Sequence, residues 1–134
     1  MKYFLLLIFC SFFVVCEAQT NKEYLIYTRA LQLHVNGKIQ ERQPIILFND
    51  CIDFPKSIGS HLLRYLESET VKRNMVVYKV RPAFVSKDNL CITVDDYLVV
   101  DDSKIEYVSS MVYIFSYNAN KKSFQFSKSR KFTY

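Results

Sequence analysis

The spacing of hydrophobic residues changes along this chain, and the changes divide it. Tyr3 to Val15 is an apolar run broken only by Ser11. From Tyr24 onward apolar residues instead recur at every second position in several stretches, the period of a half-buried strand. Leu25, Tyr27, Leu31, Leu33 and Val35 share one parity, which predicts a strand over Tyr24–Val35, with Arg29 marking a bulge or an edge. Asn36-Gly37 then reads as a hairpin turn, because both residues tolerate positive φ, and Lys38–Phe48 as the return strand. Pro44 has no amide hydrogen to donate, so that strand lies at an edge or breaks there.

Ser57–Thr70 has a different spacing. Ile58, Leu62, Tyr65, Leu66 and Glu69 recur at steps of three and four, the stripe of an amphipathic helix. Alternation returns in Met75–Ser86, bent at Pro82, and in Leu90–Val100, where Asp95-Asp96 predicts a bulge or tight turn. It continues in Ile105–Tyr117 and Ser123–Phe132. Phe124, Phe126 and Phe132 fall on one face of the last strand, with Phe115 opposite Phe124 and Tyr113 opposite Phe126. The fold class read from this pattern is α+β. It is an antiparallel sheet of about six strands with one amphipathic helix packed on one face. The elements follow the order β-β-α-β-β-β-β.

The apolar opening has its own meaning. Met1-Lys2, the run to Val15 and then Cys16-Glu17-Ala18 follow the order of a secretory signal peptide, residues 1–18. A spanning helix needs about 20 apolar residues, more than this run supplies. The expectation is an exported protein, periplasmic or secreted. It has one α+β domain over residues 19–134 and no transmembrane segment once the leader is cleaved. Of the four cysteines only Cys51 and Cys91 then remain, and in an oxidising compartment they are expected to form one disulfide. Closing that loop contributes about 4 kcal/mol in the chain-entropy picture. The competing state for Cys51 is a free thiol, but Asp50 and Asp53 disfavour its thiolate.

Charge sharpens the functional expectation. The chain carries a formal +5, and the leader takes away one lysine and one glutamate, so the balance survives cleavage. Asp88, Asp95, Asp96, Asp101, Asp102 and Glu106 cluster without the spacing or glycine of a calcium loop, and are read as turn formers. After Glu106 there is no acidic residue, while Lys121, Lys122, Lys128, Arg130 and Lys131 fill the last hairpin and tail. Interleaved with phenylalanines, these cations suit a protein partner or an anionic envelope surface. Export argues against nucleic acid. The plainer role for them is blunting an edge strand.

His34 and His61 have no metal-ligand spacing and are read as surface residues. With two glycines in the chain there is no phosphate loop, dinucleotide fingerprint or nucleophile elbow. No catalytic, cofactor-binding or metal-binding residue is therefore assigned, and no cofactor. The function expected is a small exported, non-catalytic binding protein, of the envelope immunity or inhibitor type, acting through its sheet and basic C-terminal hairpin. Two alternatives stand beside it. One is a ligand-binding or enzymatic domain with a helix–sheet pocket near Asp53, His61 or Tyr65. The other is a structural subunit of an envelope assembly, joined through an edge strand.

Overall fold

The computed structural model describes residues 25–48, 52–68 and 72–132. Residues 25–35 form an α-helix, α1, where a strand was expected. The residues it buries are Tyr27, Ala30, Leu31, His34 and Val35, spaced i, i+3, i+4, i+7 and i+8. The same stretch satisfies both periods. The interruption at Arg29 is the helix's outward face, shared with Gln32, and not a bulge. Gly37, at φ +75°, ends the helix in the left-handed conformation that a C-terminal cap requires. Asn36 N–H still donates to Gln32 C=O (3.1 Å) and Lys38 N–H to Val35 C=O (3.0 Å). Asn36-Gly37 is thus a helix stop rather than a hairpin turn. The polar half of the expected return strand is turn, and only β1 (Ile45–Leu47) is extended.

The helix expected over Ser57–Thr70 is a small hairpin, β2 (Ser57–Ile58) and β3 (His61–Tyr65), followed by a 3₁₀ turn, Leu66–Ser68. Gly59, at φ +59°, and Ser60 make its turn. In β3, Leu63 and Tyr65 pack on the core while Leu62 faces solvent. That is alternation at period two, so part of the apparent helical stripe points outward. Later elements follow the expected order: β4 (Val76–Val80), β5 (Phe84–Ser86), β6 (Asn89–Asp101), β7 (Lys104–Asn118) and β8 (Ser123–Phe132). The mixed α+β class with one helix and one large sheet holds, but the helix comes first.

The eight strands form one sheet in the order β2-β3-β1-β4-β6-β7-β8, with β5 also paired to β6. The sheet is mostly antiparallel, but β1 runs parallel to both β3 and β4. This departs from the all-antiparallel expectation. Ile45, Ile46 and Leu47 are all buried, so β1 is apolar on both faces, as an interior strand with parallel neighbours must be.

The helix packs on one face of the sheet. Tyr27, Leu31 and Val35 meet Ile45, Leu47, Tyr78, Val80, Ile92, Val94, Tyr113 and Phe115 there. The Tyr27 hydroxyl accepts the Ala83 N–H (2.7 Å), tying the helix to the chain just after Pro82. On the other face a smaller cluster joins Ile46, Val77 and Val99, with Tyr97 and Ile105 packed against it. Two bulges explain why single-parity stripes end up on both faces. Asp96 pairs with Ser109 and Tyr97 with Tyr107, leaving Val108 extra in β7; this sends Ile105 to the second cluster while Tyr113 and Phe115 stay in the first. Ser127 is extra in β8, so Phe132 lies on the face opposite Phe124 and Phe126. The hairpin register is Phe115↔Phe126 and Tyr117↔Phe124, two residues away from the pairing expected.

Cys91 is a buried free thiol on β6, so the bridge expected with Cys51 is not formed. Its strand position places it between Phe84 and Ile114 of the neighbouring strands, and burial pushes the thiol's pKa up. Cys51 and the leader, residues 1–18, lie outside the described residues. No helix among the described residues is long and apolar enough to cross a membrane.

Candidate functional site

The bulge at Val108 sets up a polar cluster beneath the helix. Asp96 and Ser109 pair across β6 and β7, and the Ser109 hydroxyl donates to Asp96 Oδ2 (3.0 Å). His34 comes down from α1 with its side chain 1% exposed. Its Nε2 lies 2.6 Å from Asp96 Oδ1 and its Nδ1 lies 2.8 Å from the Tyr113 hydroxyl. The rings of Tyr78 and Tyr113 meet the imidazole edge-on, with centroids at 5.5 and 5.8 Å. Lys38, one turn past His34, brings Nζ to 3.9 Å from Asp96 Oδ2 at the solvent side.

The electrostatics keep the carboxyl ionised and both phenols protonated. Burial pushes the Asp96 carboxyl up, but the hydrogen bond and charge of His34, the charge of Lys38 and the Ser109 hydroxyl outweigh it. The carboxyl is held below its ordinary range and stays ionised. Burial, and then the Asp96 charge, pushes Tyr78 up to about 12. The same two causes raise Tyr113, so its O–H remains a donor. His34 donates Nε2–H to the Asp96 carboxylate, and its Nδ1 shares a hydrogen bond with the Tyr113 hydroxyl. Both ring nitrogens are occupied, and the ring is enclosed. Chemically, the cluster's strongest capacity is to pin α1 to the sheet.

The adjacent residue repeats this pattern on the opposite face. Asp95 is fully buried. It accepts from Arg81 Nε (2.6 Å) and from the Ser110 hydroxyl (2.5 Å), whose oxygen lies 2.7 Å from the Tyr107 hydroxyl.

A groove opens where the β7–β8 hairpin overhangs α1. It is lined by Leu25, Ile26 and Arg29 of the helix and by Phe115, Tyr117 and residues 122–126 of the hairpin, and its volume is about 770 Å³. A smaller hollow of about 300 Å³ lies between α1 and the β2–β3 turn, beside His61. Of the residues named for a helix–sheet pocket only His61 lines it; Asp53 and Tyr65 do not, and the helix beside it is α1 rather than the one expected over Ser57–Thr70. His61 donates Nδ1–H to the Gln43 carbonyl (2.8 Å).

The five cations singled out from sequence are all exposed but do not form one patch. Lys121 and Lys122 sit in the β7–β8 loop, and Lys122 also lines the groove. Lys128 and Arg130 pair with Ile114 and Val112 on one face of β8, whereas Lys131 pairs with Met111 on the other. Sequence reasoning missed His34, Asp96 and Tyr113 as a unit, and Arg29 as a groove residue. The available signal for His34 was its place at i+3 from Leu31 and i+7 from Tyr27 on a helical period. Among the described residues no group of three His, Cys, Asp or Glu side chains could hold a metal. Comparison with protein-family models, with curated proteins and with solved structures finds no match.

Proposed function

We propose that the protein acts by binding rather than catalysis, and that it takes an extended acidic segment of a protein partner along the outer edge of β8. The observation that carries this reading is the place of β8 in the sheet. It is ten residues long, last in the strand order, and paired only with β7 among the described residues. An edge of that length offers backbone donors and acceptors to an added strand. Because Lys128 and Arg130 point to one face and Lys131 to the other, an added strand meets cations on both its faces. Acidic side chains on the partner would complement them. A second copy of this chain is a poor occupant, since β8 against β8 sets like charges side by side. The enclosed, fully paired state of His34 favours binding over proton transfer. The leader read from sequence puts the encounter outside the cytoplasm, where an immunity or inhibitor role would operate.

The test is amide hydrogen exchange of the mature chain with a ten-residue peptide repeating Glu-Glu-Val-Val, which sets glutamates on both faces of an added strand. The expected result is slowed exchange across residues 123–132, weakened by salt. A Lys128→Glu/Arg130→Glu/Lys131→Glu variant with unchanged circular dichroism is expected to bind about tenfold more weakly or worse. Unchanged exchange at β8, or equal affinity of the variant, refutes the reading and leaves the cations as edge-blunting residues.

A further inference from the structure

We infer that the groove between α1 and the β7–β8 hairpin is a binding site for a free apolar carboxylate, a hydrocarbon chain carrying one anionic head. Its floor is a ladder of aromatic rings on the helix-facing side of the hairpin. Tyr117 and Phe124 meet with centroids 5.4 Å apart, and Phe115 and Phe126 at 6.0 Å. Phe115 is buried, but Phe124 and Phe126 remain 39% and 41% exposed and Tyr117 55%. Leu25, 65% exposed, and Ile26 form the facing wall. Apolar surface left open in a concave site is the usual lining of a small-molecule pocket, and the volume lies in the range such pockets occupy.

The charges decide the class of occupant. Arg29 and Lys122 line the groove, and among the described residues no acidic one does. A cationic amphiphile would meet two like charges and a neutral one would leave them unmatched, whereas an anionic head is matched by both. Arg29 Nη1 donates to Gln32 Oε1 (3.2 Å), which steadies the guanidinium at the helix surface. A flat bilayer cannot reach a floor that includes the buried Phe115, so a single molecule is favoured over an anionic lipid surface. A second copy would bring Arg29 and Lys122 against their own counterparts. The site uses neither the outer edge of β8 nor the cations on it, so it stands or falls independently of the strand-addition reading.

Calorimetric titration of the mature chain with dodecanoate, kept below its micelle concentration, tests the site. The expected result is saturable binding of one dodecanoate per chain, with dodecyltrimethylammonium about tenfold weaker or worse. Arg29→Glu/Lys122→Glu is expected to lose about tenfold or more in affinity while keeping its melting temperature. Phe124→Asp on the exposed floor provides a second variant with the same expected loss. Absence of saturable binding, equal binding of the cationic amphiphile, or unchanged affinity in both variants overturns the inference. Three other results do so too, each by naming a different occupant. These are tighter binding to anionic vesicles than to dodecanoate, a dimer that Phe124→Asp dissociates, and binding that appears only after residues 19–24 are deleted.

Discussion

Asp95 and Asp96 are consecutive residues on one strand, yet the pleat sends them to opposite faces of the sheet, where each becomes the centre of a polar cluster. The parts are parallel. Each carboxylate takes a hydroxyl from β7, Ser110 or Ser109, and each has a nitrogen donor at 2.6 Å, Arg81 or His34. Each also has tyrosine nearby. What differs is where the partners originate. Arg81 follows β4 directly, so Asp95 stitches together neighbouring strands of the sheet. His34 comes from the helix, so Asp96 joins two layers. The partners also differ in exposure: Arg81 is half exposed, whereas His34 is 1% exposed. An orphaned Arg81 can return to water, but an orphaned His34 cannot. The burial of the carboxylates alone would rank the two sites the other way, because Asp95 is the more enclosed.

The largest expected effect follows directly. Asp96→Ala leaves the buried His34 and Ser109 without their acceptor, and should cost about 3–5 kcal/mol in urea unfolding. Asp95→Ala should cost less, about 1–3 kcal/mol, because Arg81 rehydrates. Equal or reversed costs would break the comparison. Next in size is the coupling between partners. A His34→Ala/Asp96→Ala cycle should return an interaction of roughly 1–3 kcal/mol. The cycle for Lys38 and Asp96 should fall below about 1 kcal/mol, because Lys38 is largely solvated.

Acid probes the Asp96 site directly. The Asp96 carboxyl is held below its ordinary value in the folded protein, so in the unfolded chain it binds a proton at higher pH. Its contribution is complete above the ordinary aspartate pKa of about 4 and is lost as pH falls from there through the folded value. Unfolding free energy measured between about pH 5 and 2 should therefore decline less steeply in Asp96→Asn than in the parent chain. An identical slope in the two proteins would place the acid sensitivity elsewhere.

The contrast also explains what could be read from the sequence. The long strands were legible because alternation persists over many residues and is punctuated by turn residues. Lys87-Asp88 takes positive φ between β5 and β6, and Asp101–Lys104 closes β6 on β7. The first half was ambiguous for a physical reason. Leu25, Tyr27, Leu31, Leu33 and Val35 satisfy period two, while Tyr27, Ala30, Leu31, His34 and Val35 satisfy a helical period. Helix formers at Leu25, Arg29, Ala30 and Gln32, and a glycine placed to stop a helix, favoured the second. The irregularity foreseen at Asp95-Asp96 exists, but the extra residue is Val108 on the partner strand. The His34–Asp96 contact spans 62 residues, and nothing in local spacing encodes it.

The finest test uses the two serines. Ser109 and Ser110 are both buried, and they hydrogen-bond to the two carboxylates on opposite faces. Removing either hydroxyl should cost about 1 kcal/mol, the usual worth of a hydrogen bond to a partner that keeps other donors. Their further consequences should differ. Ser110→Ala also takes one partner from the Tyr107 hydroxyl, at the half-buried outer face, where water can replace the serine. Ser109→Ala removes one of the groups holding the Asp96 carboxyl down, so the acid limb of the stability curve should move toward higher pH in that variant. If Ser109→Ala leaves the acid limb where it is, the hydroxyl does not help to hold the Asp96 carboxyl down, and the part assigned to Ser109 in the brace between the layers does not hold.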